Sequence, residues 1–266
     1  MLEVLRLNNI YKVFNENTIN ENIVFDGLSL EINDGDYIAI IGSNGAGKST
    51  LLNIIAGSVF VESGRIILND IDITNLEEYK RAKYIGRIFQ NPSLNVSPSM
   101  TILENISLSL NKGKRFDLKL CVDKRKIQDI KDDLGKLNLG LENFLNVEVK
   151  LLSGGQRQAL SLYMVSLKIP DIFLLDEHTA ALDPKTSELI MNLTEKIINE
   201  KRLTTIMITH NLKQAISYGN RLIMMNKGKI MLDIAGDEKK KLTTSKLLEM
   251  FNTKNSEILD DELIFS

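Results

Sequence analysis

The chain has one cysteine, Cys121, in 266 residues. This excludes a disulfide framework and a cysteine-built zinc site, and it makes a reducing cytosol the simplest compartment. No apolar run approaches the roughly 18 residues of a membrane span. The first residues, Met1-Leu2-Glu3-Val4-Leu5-Arg6, lack the basic segment and long apolar core of a secretory signal. If such a protein works at a membrane, another chain is expected to cross it. Net charge is nearly absent too: 33 basic against 35 acidic residues leave −2, which argues against a strong general affinity for nucleic acid. The stretch Lys112–Lys136 mixes nine basic residues with five aspartates and has Phe116 as its one aromatic. It reads as a solvated helical face and not as a single-strand binder. No internal repeat is evident. What remains is ordinary for a globular chain, 43% hydrophobic and 26% charged, and long enough to bury a core as one large domain or two lobes.

Against this background one stretch stands out, Gly42-Ser43-Asn44-Gly45-Ala46-Gly47-Lys48-Ser49-Thr50. Its spacing, G-x-x-x-x-G-K-S, is that of a phosphate cradle. Gly45 and Gly47 carry no side chain and let successive backbone N–H groups turn toward nucleotide phosphates. Lys48 supplies a point charge to the β/γ oxygens, Ser49 a hydroxyl for Mg²⁺, and the helix that opens here adds its positive end. The context fits: Tyr37-Ile38-Ala39-Ile40-Ile41 is a short apolar β-rich run, and Thr50-Leu51-Leu52-Asn53-Ile54-Ile55-Ala56 reads as helix.

Along the chain, residues 3–41 are expected to be β-rich, with Asn15–Asn22 an exposed loop and Asn33-Asp34-Gly35-Asp36 a turn. Thr101 and Glu104 have capping-box spacing and open an inserted helical lobe. Leu152-Ser153-Gly154-Gly155-Gln156 precedes the helical run Arg157–Lys168. Small residues at that helix start make it either a second anion site or a mere cap and turn. Ile172-Phe173-Leu174-Leu175-Asp176-Glu177 is an apolar run ending in two carboxylates, as in a parallel strand covered on both faces, where ligands sit beyond the strand ends. Adjacent residues on an extended strand diverge, so one carboxylate is expected to face Mg²⁺ and the other the attacking water. Leu203-Thr204-Thr205-Ile206-Met207-Ile208-Thr209-His210 repeats the design, which favours a catalytic contact for His210. Arg221–Leu232 reads as a hairpin around Asn226-Lys227-Gly228. Residues 236–266, with Lys239-Lys240-Lys241 and the acidic Asp260-Asp261-Glu262, carry no recognisable chemistry.

In this order the motifs resemble the ATP-binding subunit of an ATP-binding cassette (ABC) transporter over about residues 3–235. The resemblance implies an α/β fold: a P-loop NTPase core with a parallel sheet, an N-terminal antiparallel β part and an inserted helical lobe. The core would comprise 1–90 and 166–235, the helical signature subdomain 91–165, and a C-terminal helical appendage 236–266. It implies ATP and Mg²⁺ as ligands. Ser43, Asn44, Gly45, Ala46, Gly47, Lys48, Ser49 and Thr50 would hold the phosphates, with Ser49, Gln90 and Asp176 on Mg²⁺. Glu177 would polarise the hydrolytic water, His210 would contact the γ-phosphate, and Gln90 would sense a membrane partner. Phe14, in Tyr11-Lys12-Val13-Phe14, is placed like an adenine-stacking aromatic, with Tyr11 as the alternative. Ser153, Gly154, Gly155 and Gln156 of one copy would meet the γ-phosphate held by a second copy in a head-to-tail dimer, and Asp183 would couple the two sites. Two departures from the family pattern are His178, where proline is common, and Ala180, where serine is frequent.

Asp176-Glu177-His178-Thr179-Ala180-Ala181-Leu182-Asp183-Pro184, with Pro98-Ser99-Met100-Thr101 and Lys112-Gly113-Lys114-Arg115, is similar to a bacterial importer subgroup associated with amino acids, including tryptophan-like ones. The partners so implied are a second copy, integral membrane permeases and an extracytoplasmic solute-binding protein, with no nucleic acid. The location implied is the cytoplasmic face of the membrane, and a permease groove is expected along Leu94, Val96 and Met100. A soluble ABC ATPase of an assembly machine, such as the iron–sulfur scaffold type, and an exporter ATPase are the alternatives.

Overall fold

A computed structural model describes residues 3–112, 126–251 and 253; most of the basic stretch noted above, and Cys121, lie outside them. The chain divides into two compact units. One comprises Met1–Ile55, Val59–Thr74 and Ile206–Ser266, the other Ala56–Ser58 and Asn75–Thr205.

The first unit begins with β1 (Glu3–Phe14) and β2 (Asn22–Asn33), paired antiparallel around exposed turns at residues 15–21. Leu28, Leu30 and Ile32 of β2 are buried while Ser29 and Glu31 are exposed, the period-two alternation of a sheet with one face in the core. The turn after β2 closes with Asp36 N–H on the Asn33 carbonyl and delivers β3 (Tyr37–Gly42), whose residues 37–41 are all buried. That uninterrupted burial is what a parallel strand covered on both faces demands. Helix α1 (Lys48–Ala56) comes next, with Leu51, Leu52, Ile54 and Ile55 fully buried, and then β4 (Ser63–Leu68) and β5 (Ile71–Asp72) complete an antiparallel sheet of order β2-β1-β4-β5.

In the second unit, α2 (Glu78–Arg81) leads to β6 (Ile85–Ile88) and then to α3 (Ile102–Asn111), α4 (Ile127–Gly135) and α5 (Gly154–Ser166). Thr101 caps α3 in a full capping box with Glu104, the arrangement its spacing predicts. β7 (Ile172–Asp176) then pairs parallel with β6, setting Ile88 opposite Leu175. Helix α6 (Pro184–Lys201) starts from Asp183 as N-cap with proline at its first position. It stops at Arg202, whose left-handed φ of 52° ends the helix.

The chain re-enters the first unit through β8 (Thr205–Ile208), then α7 (Leu212–Ser217), β9 (Arg221–Asn226) and β10 (Lys229–Ala235). Here the order is β10-β9-β3-β8, with β9 parallel to β3 and β10 antiparallel to β9. Lys227 and Gly228 both have positive φ, 41° and 74°, as a two-residue hairpin turn requires. Helix α8 (Gly236–Lys240) and a helical stretch at 244–251 end the described chain. Among the described residues, no helix is long and apolar enough to cross a membrane.

Candidate functional site

In the first unit, the glycine-rich loop joins β3 to α1. Gly47 needs its glycine on two counts: its φ is +94°, and a Cβ would come within 2.8 Å of the Phe25 ring. The Lys48 side chain is buried, and its ammonium donates to the carbonyls of Gly42 and Ser43 at 2.8 Å each. Its charge is therefore held at the loop mouth. Ser43, Asn44, Gly45 and Ser49 are exposed, Thr50 is half-buried and Ala46 buried. The first N–H groups of α1, at Lys48, Ser49 and Thr50, have no carbonyl earlier in the helix to bind, which is what makes a helix start an anion site.

His210 stands two residues past β8 and is exposed. Its backbone is fixed by neighbours on both sides: Asn211 accepts from the N–H groups of Lys213 and Gln214, and the Thr209 hydroxyl donates to Gln214 Oε1 at 2.9 Å. Gly42, Ser43, Thr209 and His210 line one pocket of about 270 Å³, together with Leu247, Leu248 and Phe251. The structure thus brings the glycine loop and His210 together. Phe14 does not line that pocket. It ends β1, half-buried, with the Lys12 ammonium 4.7 Å from its ring centroid. Tyr11, also half-buried, lies on the same strand.

In the second unit, β6 and β7 run parallel and in register, so Gln90, two residues past Ile88, and Asp176, one past Leu175, lie at the same end of neighbouring strands. Gln90 is exposed on a loop that Asn95 ties down by accepting from Phe89 N–H at 2.9 Å. Asp176 pairs with Arg87 at 3.5 Å, both side chains largely buried. Burial pulls the Arg87 guanidinium below its ordinary pKa, and the Asp176 charge works against that. Glu177 has φ +46°, a left-handed conformation uncommon for a residue with a side chain, and its carbonyl accepts from Ala180 N–H at 2.9 Å.

Ser153 is the exposed N-cap of α5, in a capping box with Gln156. Gln156 also donates to the Leu139 carbonyl at 3.1 Å, so its amide serves local structure here. Gly155 lets α5 lie against α6, since a Cβ there would meet the Thr186 methyl at 2.4 Å. Asp183 accepts from Thr186 N–H and its side chain, which hold its carboxyl below the usual range.

A family model described as ABC transporter matches residues 25–180. The chain belongs to that family. It is 51% identical to the tyrosine transport ATP-binding protein of Clostridioides difficile (strain R20291), over 93% of this chain and 98% of that one. It is 34% identical to the methionine import ATP-binding protein MetN 1 of Bacillus thuringiensis subsp. konkukian (strain 97-27), over 94% of this chain and 73% of that one. Among solved structures, a nucleotide-free ATP-binding cassette from an ABC transporter matches with TM-score 0.73 and 29% identity, covering 94% of this chain and 99% of the other. A dimeric cassette in a post-hydrolysis state bound to ADP and Pi matches with the same TM-score and identity, covering 87% and 98%. The chain is therefore an ABC transporter ATPase that binds ATP, with the α/β cassette fold expected from its motifs.

Arg87 is the residue of this ABC cassette that sequence reasoning passed over. The signal was there: Arg87 is the one charge inside the apolar run Ile85-Gly86-Arg87-Ile88-Phe89. A buried charge calls for a partner, and the parallel register with β7 supplies Asp176.

Proposed function

We propose that the protein is the ATPase of an importer for an amino acid, closing with a second copy around two ATP molecules and driving membrane permeases from the cytoplasmic face. The observation that carries the amino-acid reading is the match to a tyrosine transport ATP-binding protein over 98% of that protein's length, and the import direction is supported by the match to a methionine import ATP-binding protein over 73% of its length. The dimer is supported by Ser153, an exposed cap at the start of a 13-residue helix, where small residues leave N–H groups open to an anion.

In this reading Lys48 and the N–H groups of residues 44–50 cradle the phosphates. Glu177 takes a proton from water as its oxygen attacks the γ-phosphorus. The bond to the β,γ-bridging oxygen breaks, and the electron pair leaves on ADP. His210 stabilises the charge that gathers on the γ-phosphate, and Gln90 acts on Mg²⁺ or the attacking water. Ser153, Gly154, Gly155 and Gln156 meet the γ-phosphate of the second copy, and Asp183 couples the two sites. Phe14 carries the adenine ring.

Among the described residues no three His, Cys, Asp or Glu side chains gather as a metal cage. Mg²⁺ suits such a site, because it is held by one or two side-chain oxygens plus substrate phosphates, and the Asp176 carboxylate keeps lone pairs beyond its 3.5 Å contact with Arg87. Ser49, Asp176 and Gln90 are the residues that would hold it. When bound, Mg²⁺ neutralises charge on the phosphate oxygens.

For the permease, support comes from a cleft of about 520 Å³ in the second unit, lined by Leu94, Asn95 and Val96 after Gln90, and by Leu108 and Met164. Met100 does not line it. An extracytoplasmic solute-binding protein completes the proposed system.

The test is Glu177→Gln. The purified variant, saturated with ATP and Mg²⁺, is expected to elute as a dimer with hydrolysis down at least ~100-fold, and cells carrying it in place of the wild type are expected to lose uptake of labelled tyrosine. A variant that stays monomeric rules out the ATP sandwich; unchanged tyrosine uptake rules out that substrate.

A further inference from the structure

The family pattern commonly has proline at the position of His178, and the resemblance assigns the histidine nothing. In the structure it is 2% exposed, and its Nε2 lies 3.0 Å from the Thr194 hydroxyl in the third turn of α6. The Thr194 hydroxyl has one proton, and it goes to the Ile190 carbonyl at 2.8 Å. Thr194 therefore accepts at the other contact, and His178 donates from Nε2. The pair spans 16 residues and joins the loop after β7 to α6.

The residue immediately before this anchor is Glu177, held at φ +46°. A side-chain-bearing residue keeps a left-handed conformation only where its surroundings over-determine it. On one side the surroundings are the turn from Ala180 N–H to the Glu177 carbonyl. On the other they are the tether of His178 to a helix whose facing residues, Ile190 and Thr194, are fully buried.

We infer that His178 is a positioning residue for the ATPase reaction: its hydrogen bond to Thr194 pins the Glu177 loop to α6 and fixes the aim of the Glu177 carboxylate. The inference rests on the proposed role of Glu177 as the group that receives the water proton. A histidine that merely fills the core would affect folding alone. A tether must change turnover while leaving nucleotide affinity, set at the glycine loop, untouched.

The experiment uses the full chain with His178→Leu, Thr194→Val, the pair together, and His178→Gln, which restores an N–H donor. ATP affinity is read from a fluorescent ATP analogue and kcat from phosphate release at saturating ATP. The two single variants are expected to lose about 10-fold in kcat, the worth of one buried hydrogen bond, with ATP affinity within about twofold of wild type. The double variant is expected to be no worse than either single one, because both remove the same bond. His178→Gln is expected to recover most of the rate.

Wild-type turnover in Thr194→Val overturns the inference, as do losses that multiply in the double variant. Thr194→Val preserves the side-chain shape, so it decides the matter even if His178→Leu does not fold. Glu177→Gln run alongside separates the two readings. If it hydrolyses ATP at the wild-type rate, the Glu177 assignment falls and the inference with it. If it is inactive while Thr194→Val turns over normally, only the tether falls.

Discussion

The chain has two histidines, and each stands two residues beyond the end of an apolar strand, His178 after β7 and His210 after β8. From there they part. His178 is buried and bonded to Thr194, whereas His210 is exposed and lines a pocket with Gly42 and Ser43. The difference lies in the segment that leaves each strand. After His178 the chain makes a loop before α6 begins at Pro184, and that helix returns Thr194 to the ring; after His210, Asn211 caps α7 at once. Equal spacing from a strand end thus yields an anchor in one place and a surface contact in the other. A histidine's role is set by the helix that comes back to it and not by its place in the motif.

The largest effect that can break this contrast is on turnover. His210→Ala is expected to lower kcat by about 100- to 1,000-fold, the range seen when one preorganised donor to a developing charge is removed. Its folding stability should stay within about 0.5 kcal/mol of wild type, as for an exposed side chain. Measured together, phosphate release and denaturant midpoints decide it. A His210→Ala protein that loses stability and keeps its rate would make His210 the structural histidine of the two.

The second effect is on the acid stability that His178 confers. Burial pushes the His178 imidazole down to about 4, below its ordinary 6.5. The folded chain then binds fewer protons than the unfolded one between those values, so stability is complete above about pH 6.5 and is lost as the pH falls toward 4. The gap is worth about 3 kcal/mol. Urea midpoints of the metal-free protein from pH 7.5 to 4.5 should drop accordingly, and His178→Gln should flatten the curve. An equally steep curve in that variant would trace the acid sensitivity to other groups.

How far the sequence carries such arguments depends on distance along the chain. The glycine loop, the capping box at Thr101 and the hairpin at Lys227-Gly228 are all legible, because each depends on residues within eight positions of one another. The contacts that give individual side chains their tasks are long-range. Arg87 meets Asp176 across 89 positions, and Lys12 meets Glu62 across 50. His178 can be read from its surroundings in sequence only as a local variation, since Thr194 looks like any helical threonine until α6 is folded back. The left-handed φ of Glu177 leaves no trace in composition either, whereas Gly47 announces its own. Residues 236–251 are the least legible of all. No chemistry is recognisable in their sequence, yet Leu247, fully buried, lines the His210 pocket with Leu248 and Phe251.

That appendage supplies the smallest test. Lys239 of α8 is 3% exposed, and its ammonium donates to the carbonyls of Ile216, Tyr218 and Gly219 at 3.0, 2.6 and 2.8 Å. It closes the C-terminal end of α7, the helix that begins two residues after His210, where a cation complements the helix dipole. Burial lowers its pKa to about 8, so holding the charge there has a cost that offsets part of what the three hydrogen bonds contribute. Lys239→Met keeps the aliphatic bulk and leaves the three carbonyls without this donor. The net loss should be about 1–2 kcal/mol, or roughly 2–8 °C in Tm for a chain of this size. Because α7 is also held at its start by Asn211 and the Thr209–Gln214 bond, kcat should fall less than about threefold. A Lys239→Met protein that loses turnover as heavily as His210→Ala would mean that His210, for all its exposure, depends on a buried anchor as His178 does, and the contrast between the two strand ends would collapse.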